Sequence, residues 1–238
     1  SVAGGAERVA CTLASGLANN GHKITIITFD KLSSSSFYPL DNKVEKINLS
    51  IGNASSRSTI IEFILRLRAL NLLVKKNKPD IVIGFMHSMY IPLAFSLIGL
   101  KVPIIASEHT VISHYKKKPI QYILLLISSI FINSFTVLSH SIKSEYPKII
   151  SKKMKIISNP ISVLNSEKPK LNDKSRKILL NIGRLDPEKD HITLINSFYL
   201  ISKSYPEWDL HIVGNGSLKN KINNLIIYLN LTNRIFIN

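Results

Sequence analysis

The sequence predicts an α/β protein built as two doubly wound units, the second incomplete, and three observations carry that prediction. Apolar, β-branched runs such as KITIITF (Lys23 to Phe29) and PDIVIGF (Pro79 to Phe85) alternate with helical stretches, the order that buries a parallel sheet between helices. From Ile161 to Arg176 the chain turns polar and lysine-rich and loses periodicity, which marks a linker. After it, strand and helix patterns start again at KILLNIG (Lys177 to Gly183). The expected organisation is therefore 1–160, a first unit; 161–176, a linker; and 177–238, a second unit.

In the first unit, Gly4 and Gly5 precede a helix in which Val9, Leu13 and Leu17 recur every four positions, and Gly21 ends it. Strands are expected at Lys23 to Phe29, Val44 to Leu49, Pro79 to Phe85, Val102 to Glu108, Ser134 to Ser139 and Met154 to Ser158. A long helix is expected near Ile60 to Lys76 and an apolar one at Ile120 to Ile132. Five or so of these strands, with helical crossovers, make a doubly wound domain. In the second unit Asp190 is the expected N-cap of a helix that stops before Pro206, and Trp208 to Gly214 is a strand. Ser217 is expected to cap a further helix with the stripe Leu218, Ile222, Leu225, Ile226 and Leu229, and Arg234 to Asn238 begins a third strand.

A chain of 238 residues that is 45% hydrophobic can bury a core and is not a disordered polymer. Its 31 Lys and Arg against 15 Asp and Glu give a net charge of +16, which favours anionic partners. Nucleic acid is not the expected one, because the lysines are scattered and no aromatic residues alternate with them as a stacking platform. The single cysteine, Cys11, permits no internal disulfide; it is expected on the core face of the first helix and fits a reducing cytosol. The run Ile120 to Ile132 is too short to span a bilayer and contains Gln121, Ser128 and Ser129. Two readings remain open for it: a buried core helix, or a helix on an anionic membrane surface led by Lys116, Lys117 and Lys118.

Ligands of a doubly wound sheet bind beyond the carboxyl ends of its strands. Three loops have suitable chemistry there. Gly4 and Gly5, in GGAER, let a ligand approach the backbone at a helix N-terminus, although a tight turn has the same sequence. Gly183 to Lys189 carries Arg184 and Lys189, which can neutralise a departing diphosphate without a metal; solvated loop charges are the plainer reading. Gly214, Asn215 and Gly216 end the following strand and can admit phosphate or sugar to the backbone as a donor or acceptor loop.

Taken together, GGAER, SNPI (Ser158 to Ile161), GRLDPEKD (from Gly183) and IVGNG resemble, in order and spacing, the family 4 glycosyltransferases of the GT-B fold, over nearly the whole chain. The resemblance implies two Rossmann-like domains and a retaining glycosyltransferase that moves a sugar from a nucleotide-sugar, a UDP-sugar in expectation, to a saccharide acceptor, without any other cofactor and without metal. It implies that Arg184 and Lys189 contact the donor diphosphate with Gly183, that Gly4 and Gly5 lie near the donor phosphates, and that His109 of SEHT is the catalytic histidine beside the reacting sugar. A capping or core-edge histidine is the other reading of His109. No Asp-x-Asp sequence suggests a metal clamp.

The basic charge and the Lys116 to Lys118 cluster point to a lipid-linked acceptor in envelope polysaccharide assembly, and to a cytoplasmic protein peripheral on the inner face of the membrane. The family's spaced pair of sugar-binding glutamates has no counterpart here, and neither does its opening strand. The sequence is therefore expected to be a piece of a longer protein, weakly stable and weakly active by itself. A non-catalytic fragment with residual phosphate binding, and a GT-B epimerase, stay open as alternatives.

Overall fold

The structure, a computed structural model, describes residues 4–52, 59–116, 118–160 and 176–238. Two compact units divide the chain, Ser1–Val163 and Leu164–Asn238. Most of the linker expected over 161–176 lies outside the described residues, as do Ile161 and Lys117.

The first unit opens with α1 (Gly5–Asn19), whose N-cap is Gly4 and which ends at Asn20 and Gly21, the latter at φ 89° where an L side chain would be strained. Strands β1 (Thr25–Thr28) and β2 (Glu45–Asn48) pair in parallel, Thr25 opposite Glu45. Helix α2 (Ile60–Asn77) begins in a capping box: Thr59 Oγ1 accepts from the Glu62 N–H at 3.2 Å, and the Thr59 N–H donates to the Glu62 carboxylate at 2.8 Å. There follow β3 (Val82–Phe85), α3 (His87–Ser96), β4 (Ile104–Ser107), α4 (Ile112–Lys116), α5 (Pro119–Phe131), β5 (Ser134–Val137), α6 (His140–Glu145), α7 (Lys148–Ser151) and β6 (Met154–Ile156). Strands β3, β4, β5 and β6 form a parallel sheet in that order, with Val82 opposite Ile104 and Phe135 opposite Met154. Its core joins Ala106, Phe135 and Val137 of the sheet to Tyr90, Ile91, Leu93 and Ala94 of α3 and Leu125 of α5.

Several sequence expectations are corrected. Of the expected Val9, Leu13, Leu17 stripe of α1, Val9 is buried and Leu17 partly so, but Leu13 is exposed, and Ala14 and Ala18 meet Val44. Small side chains let this helix lie close to the β1–β2 side, so the larger Leu13 is turned out. Cys11, expected in the core, is only partly buried; desolvation nevertheless pushes its thiol up, against a lowering contact from Ser36. Helix α3 is absent from the sequence reading because it is apolar all round and contains Pro92, which gives no amphipathic period to detect. The expected run of parallel strands is divided between two sheets, and among the described residues β1 and β3 pair with no strand on their second edges.

The second unit consists of β7 (Lys177–Ile182), a 3₁₀ turn (Pro187–Lys189), α8 (His191–Ser202), β8 (Trp208–Val213), α9 (Lys219–Tyr228) and β9 (Ile235–Ile237). The three strands are parallel in chain order, with Ile182 opposite Val213. The Asp190 side chain accepts from the Thr193 N–H, as expected of the α8 cap, and α8 and α9 bury Ile195, Phe198, Ile222 and Ile226 against Leu210 and Ile212. Ser217 does not cap α9. That N-cap is Leu218, without a side-chain bond, and Ser217 is engaged by Asp186.

Asp209 is buried where β8 starts. Arg176 binds both its carboxylate oxygens and Arg234 reaches Oδ1 at 3.2 Å. The arginines, Arg176 first, hold this carboxyl below the usual carboxylate range. Asp209→Ala leaves the mostly buried Arg234 without its counter-charge. Chemical denaturation is expected to show a loss of about 2–3 kcal/mol, below the full cost of a broken buried pair because Arg176 is half exposed.

Candidate functional site

In the first unit the carboxyl ends of β3, β4 and β5 bring Phe85, Ser107 and Thr136 together. His109 stands two residues past β4. Its Nε2 lies 3.1 Å from Ser107 Oγ, which also accepts from Thr136 Oγ1 at 3.1 Å. The ring stacks on Phe85 at 6.0 Å between centroids. Burial pushes the imidazole below its ordinary value, while the charges of Glu108 and Glu7 pull it back up. Glu7 belongs to the first turn of α1, so the Gly4–Gly5 helix start shares the electrostatic field of His109. Gly5 is open, since a Cβ added there would meet nothing within 4 Å, whereas one on Gly4 would lie 2.1 Å from Glu7 Oε2. The Glu7 carboxylate of the first turn therefore lies over Gly4, and the open side of this helix start is at Gly5.

Sequence reasoning missed the residue that holds this loop. Glu108 is only 1% exposed, and its carboxylate accepts from the hydroxyls of Tyr90 and Tyr115 (the latter at 2.6 Å) and from the Thr110 N–H at 2.8 Å. The Tyr146 hydroxyl donates to Thr110 O at 2.7 Å, tying the same turn. Burial, and then the Glu108 charge, push the hydroxyls of Tyr90, Tyr115 and Tyr146 upward, so they remain donors. The clue was a glutamate ending the apolar run VPIIASE, where a charge is kept only if it is satisfied. Tyr90 reaches it because α3 packs directly on β3: a Cβ on Gly84 would sit 2.6 Å from Tyr90 Cβ. Met86, at φ 66°, makes the sharp turn between them.

Burial also lowers His87, whose Nδ1 is buried and finds no hydrogen-bond partner among the described residues, and lowers His114 beside Lys118. His87, His109 and His114 therefore share a sign. Each folded value lies below the unfolded one near 6.5, so the unfolded state binds more protons as pH falls. Their contribution to stability is complete above about pH 7 and is lost as pH drops through the lowered values. The urea midpoint is expected to be level from about pH 7 to 8 and to fall by about pH 5, with the fall reduced in His87→Asn/His114→Asn.

In the second unit the loop after β7 is built against the loop after β8. The Leu185 N–H donates to Asn215 O at 3.0 Å, the Leu218 N–H to Leu185 O at 2.8 Å, and Ser217 donates through both N–H and hydroxyl to Asp186 Oδ1. Those Ser217 bonds, the backbone one first, hold the Asp186 carboxyl below its usual range. Leu185 is fully buried and anchors the turn, while the Arg184 side chain is 72% exposed, 3.3 Å from Asp186. The Lys189 stem lies 3.7 Å from the point where a Gly183 Cβ would be. Arg184, Lys189 and Gly183 are thus collected at the carboxyl end of β7 and just before α8.

Gly214 and Gly216 have a structural duty in this arrangement. A Cβ on Gly214 would lie 2.0 Å from Gly183 O, and one on Gly216 would lie 2.6 Å from Leu185 O. Asn215 is exposed, and its side chain accepts from the Gly216 N–H at 2.9 Å. Lys116 and Lys118 are exposed beside the start of α5; Lys117 lies outside the described residues. Among the described residues no group of three or more His, Cys, Asp or Glu could hold a metal ion. No helix of the described residues is long and apolar enough to cross a membrane.

Comparison with known proteins gives the family and the fold. The family model described as Glycosyltransferase Family 4 matches residues 3–163, and Glycosyl transferases group 1 matches 164–237. The chain is 30% identical over 221 residues to the GalNAc-alpha-(1->4)-GalNAc-alpha-(1->3)-diNAcBac-PP-undecaprenol alpha-1,4-N-acetyl-D-galactosaminyltransferase of Campylobacter jejuni, covering 92% of this chain and 60% of that protein. A second Campylobacter jejuni relative is N-acetylgalactosamine-N,N'-diacetylbacillosaminyl-diphospho-undecaprenol 4-alpha-N-acetylgalactosaminyltransferase, 28% identical over 98% of this chain and 66% of its own length. Among solved structures, Anabaena HepE in complex with UDP and glucose superposes with a TM-score of 0.71 at 14% identity, over 98% of this chain and 65% of its own. The chain thus spans about two thirds or less of the length of these relatives. The fold is of the GT-B class, and the chain belongs to glycosyltransferase family 4.

Proposed function

We propose that the protein transfers a sugar from a UDP-sugar to a hydroxyl of a lipid-linked saccharide, with retention of configuration, in envelope polysaccharide or glycan assembly at the cytoplasmic face of the membrane. The observation that carries this reading is the loop Gly183 to Lys189. Its backbone is pinned by Leu185 and by the facing glycines at a strand end next to a helix start, and its exposed arginine, 3.3 Å from Asp186, extends from that anchored turn.

In the transfer, the acceptor oxygen bonds to the anomeric carbon as that carbon's bond to the diphosphate breaks. The hydroxyl proton leaves with the diphosphate oxygen. Arg184 and Lys189 neutralise the charge that grows on the departing UDP, which needs no metal clamp. His109, held neutral by burial and oriented through Ser107, hydrogen-bonds the donor sugar. Gly5 leaves one side of the helix start open to a phosphate or acceptor hydroxyl, with the Glu7 carboxylate over Gly4. The names of the two Campylobacter jejuni relatives, with acceptors on diphospho-undecaprenol, support the lipid-linked class. The HepE complex with UDP supports the nucleotide.

The test is incubation of the protein with radiolabelled UDP-N-acetylhexosamines or UDP-hexoses and an undecaprenyl-diphosphate saccharide. One added sugar on the lipid, with release of UDP, is expected. Interconversion of the donor without acceptor would identify an epimerase instead, and binding of UDP with no turnover would identify a non-catalytic phosphate site.

A further inference from the structure

Helix α5 is apolar on both its inner and its outer side. Leu125 is buried and Tyr122, Leu124 and Leu126 pack on the same core beside two buried serines, Ser128 and Ser129, whose Oγ atoms donate to Leu125 O at 3.0 Å and Leu126 O at 2.7 Å. Its four isoleucines face outward. Ile120, Ile123, Ile127 and Ile130 are 74%, 54%, 43% and 64% exposed, at spacings of three, four and three that put them on one line about 15 Å long. A helix whose outer side met only water would carry polar residues there.

The surroundings are basic. Lys118 is the N-cap residue of α5 and Lys116 ends α4, both exposed, and no Asp or Glu occurs between Glu108 and Glu145. At the other end Phe131 shares a shallow cavity of about 330 Å³ with Ile98 and the exposed Lys101. An apolar line with lysines at both ends and no carboxylate along it matches a bilayer surface of anionic headgroups over acyl chains. It does not match a second protein copy as well, because one helix edge is far narrower than the roughly 800 Å² per partner of a stable protein interface.

We infer that the outer face of α5, Ile120, Ile123, Ile127 and Ile130 with Lys116 and Lys118, docks on an anionic phospholipid bilayer, the isoleucines entering the headgroup boundary. This deepens the lipid-linked acceptor reading, since it places the chain where such an acceptor lies. It needs neither donor nor acceptor, so it can fail while the transferase reading stands.

The test is sedimentation of the chain with vesicles of phosphatidylglycerol and phosphatidylcholine, against vesicles of phosphatidylcholine alone. Binding only to the anionic vesicles is expected. Ile123→Gln/Ile127→Gln should lower it by about tenfold or more at unchanged circular dichroism. Lys116→Gln/Lys118→Gln should lower it by about fivefold per lysine at low salt. Ile127→Trp, which keeps the face apolar, should bind, and its added indole should emit further to the blue on the anionic vesicles. The inference is overturned if the wild type ignores anionic vesicles, if the double glutamine variant of the isoleucines binds as well as the wild type, or if the emission of Ile127→Trp does not move. It is overturned too if the glutamine substitutions only convert a dimer to a monomer.

Discussion

Arg184→Ala is expected to weaken UDP binding by about 10- to 100-fold, the loss of one or two charge-assisted hydrogen bonds. Turnover should fall by a further ~100-fold, because the charge on the diphosphate is greatest as the sugar departs. Arg184→Lys keeps the charge but not the planar fork, so it should recover only part of the affinity. The side chain is exposed and already pairs with Asp186, so raising the salt concentration should weaken UDP binding to the wild type more than to Arg184→Ala. Lys189→Ala should behave in the same direction, since its stem lies along Gly183 in the same loop. Titration calorimetry measures all three variants. Wild-type affinity in Arg184→Ala/Lys189→Ala would remove the loop from the donor site.

Gly214→Ala carries the largest expected structural effect. The new Cβ would fall 2.0 Å from the Gly183 carbonyl oxygen, which is backbone and cannot swing aside as a side chain can. The two loops must then part, breaking the bonds from Leu185 N–H to Asn215 O and from Ser217 to Asp186. A loss of about 3 kcal/mol is expected in urea denaturation of the second unit, with UDP binding lost as well. Asn215→Ala, at the exposed position between the glycines, is the control and should change stability by less than about 1 kcal/mol.

The comparison between these two variants shows what the sequence could reveal. Period and composition located the strands of both units, and a capping residue such as Asp190 could be read directly because its chemistry is local. The GNG turn was legible as a place of close backbone approach, but not as an approach of chain to chain; only the pairing of Ile182 with Val213 brings Gly183 and Gly214 into contact. Ser217 was read as a helix cap for the same reason, since the Asp186 that claims it is distant in sequence. Helix α3 gave no signal, because a helix buried all round has no polar face to set its phase. Glu108 shows in the sequence only as a charge ending an apolar run, because its partners Tyr90 and Tyr115 are brought by the fold from two separate helices. The sequence leaves two readings open for α5, and the structure shows Leu125, Ser128 and Ser129 buried in the core and Ile120, Ile123, Ile127 and Ile130 exposed.

The central claim is that the second unit grips a diphosphate, and the most direct test changes the ligand instead of the protein. Calorimetric titration of the chain with UDP and with uridine should show UDP binding about 100-fold or more tightly, with the difference collapsing in Arg184→Ala/Lys189→Ala. Equal affinity for uridine and UDP, or no binding of UDP, would contradict it.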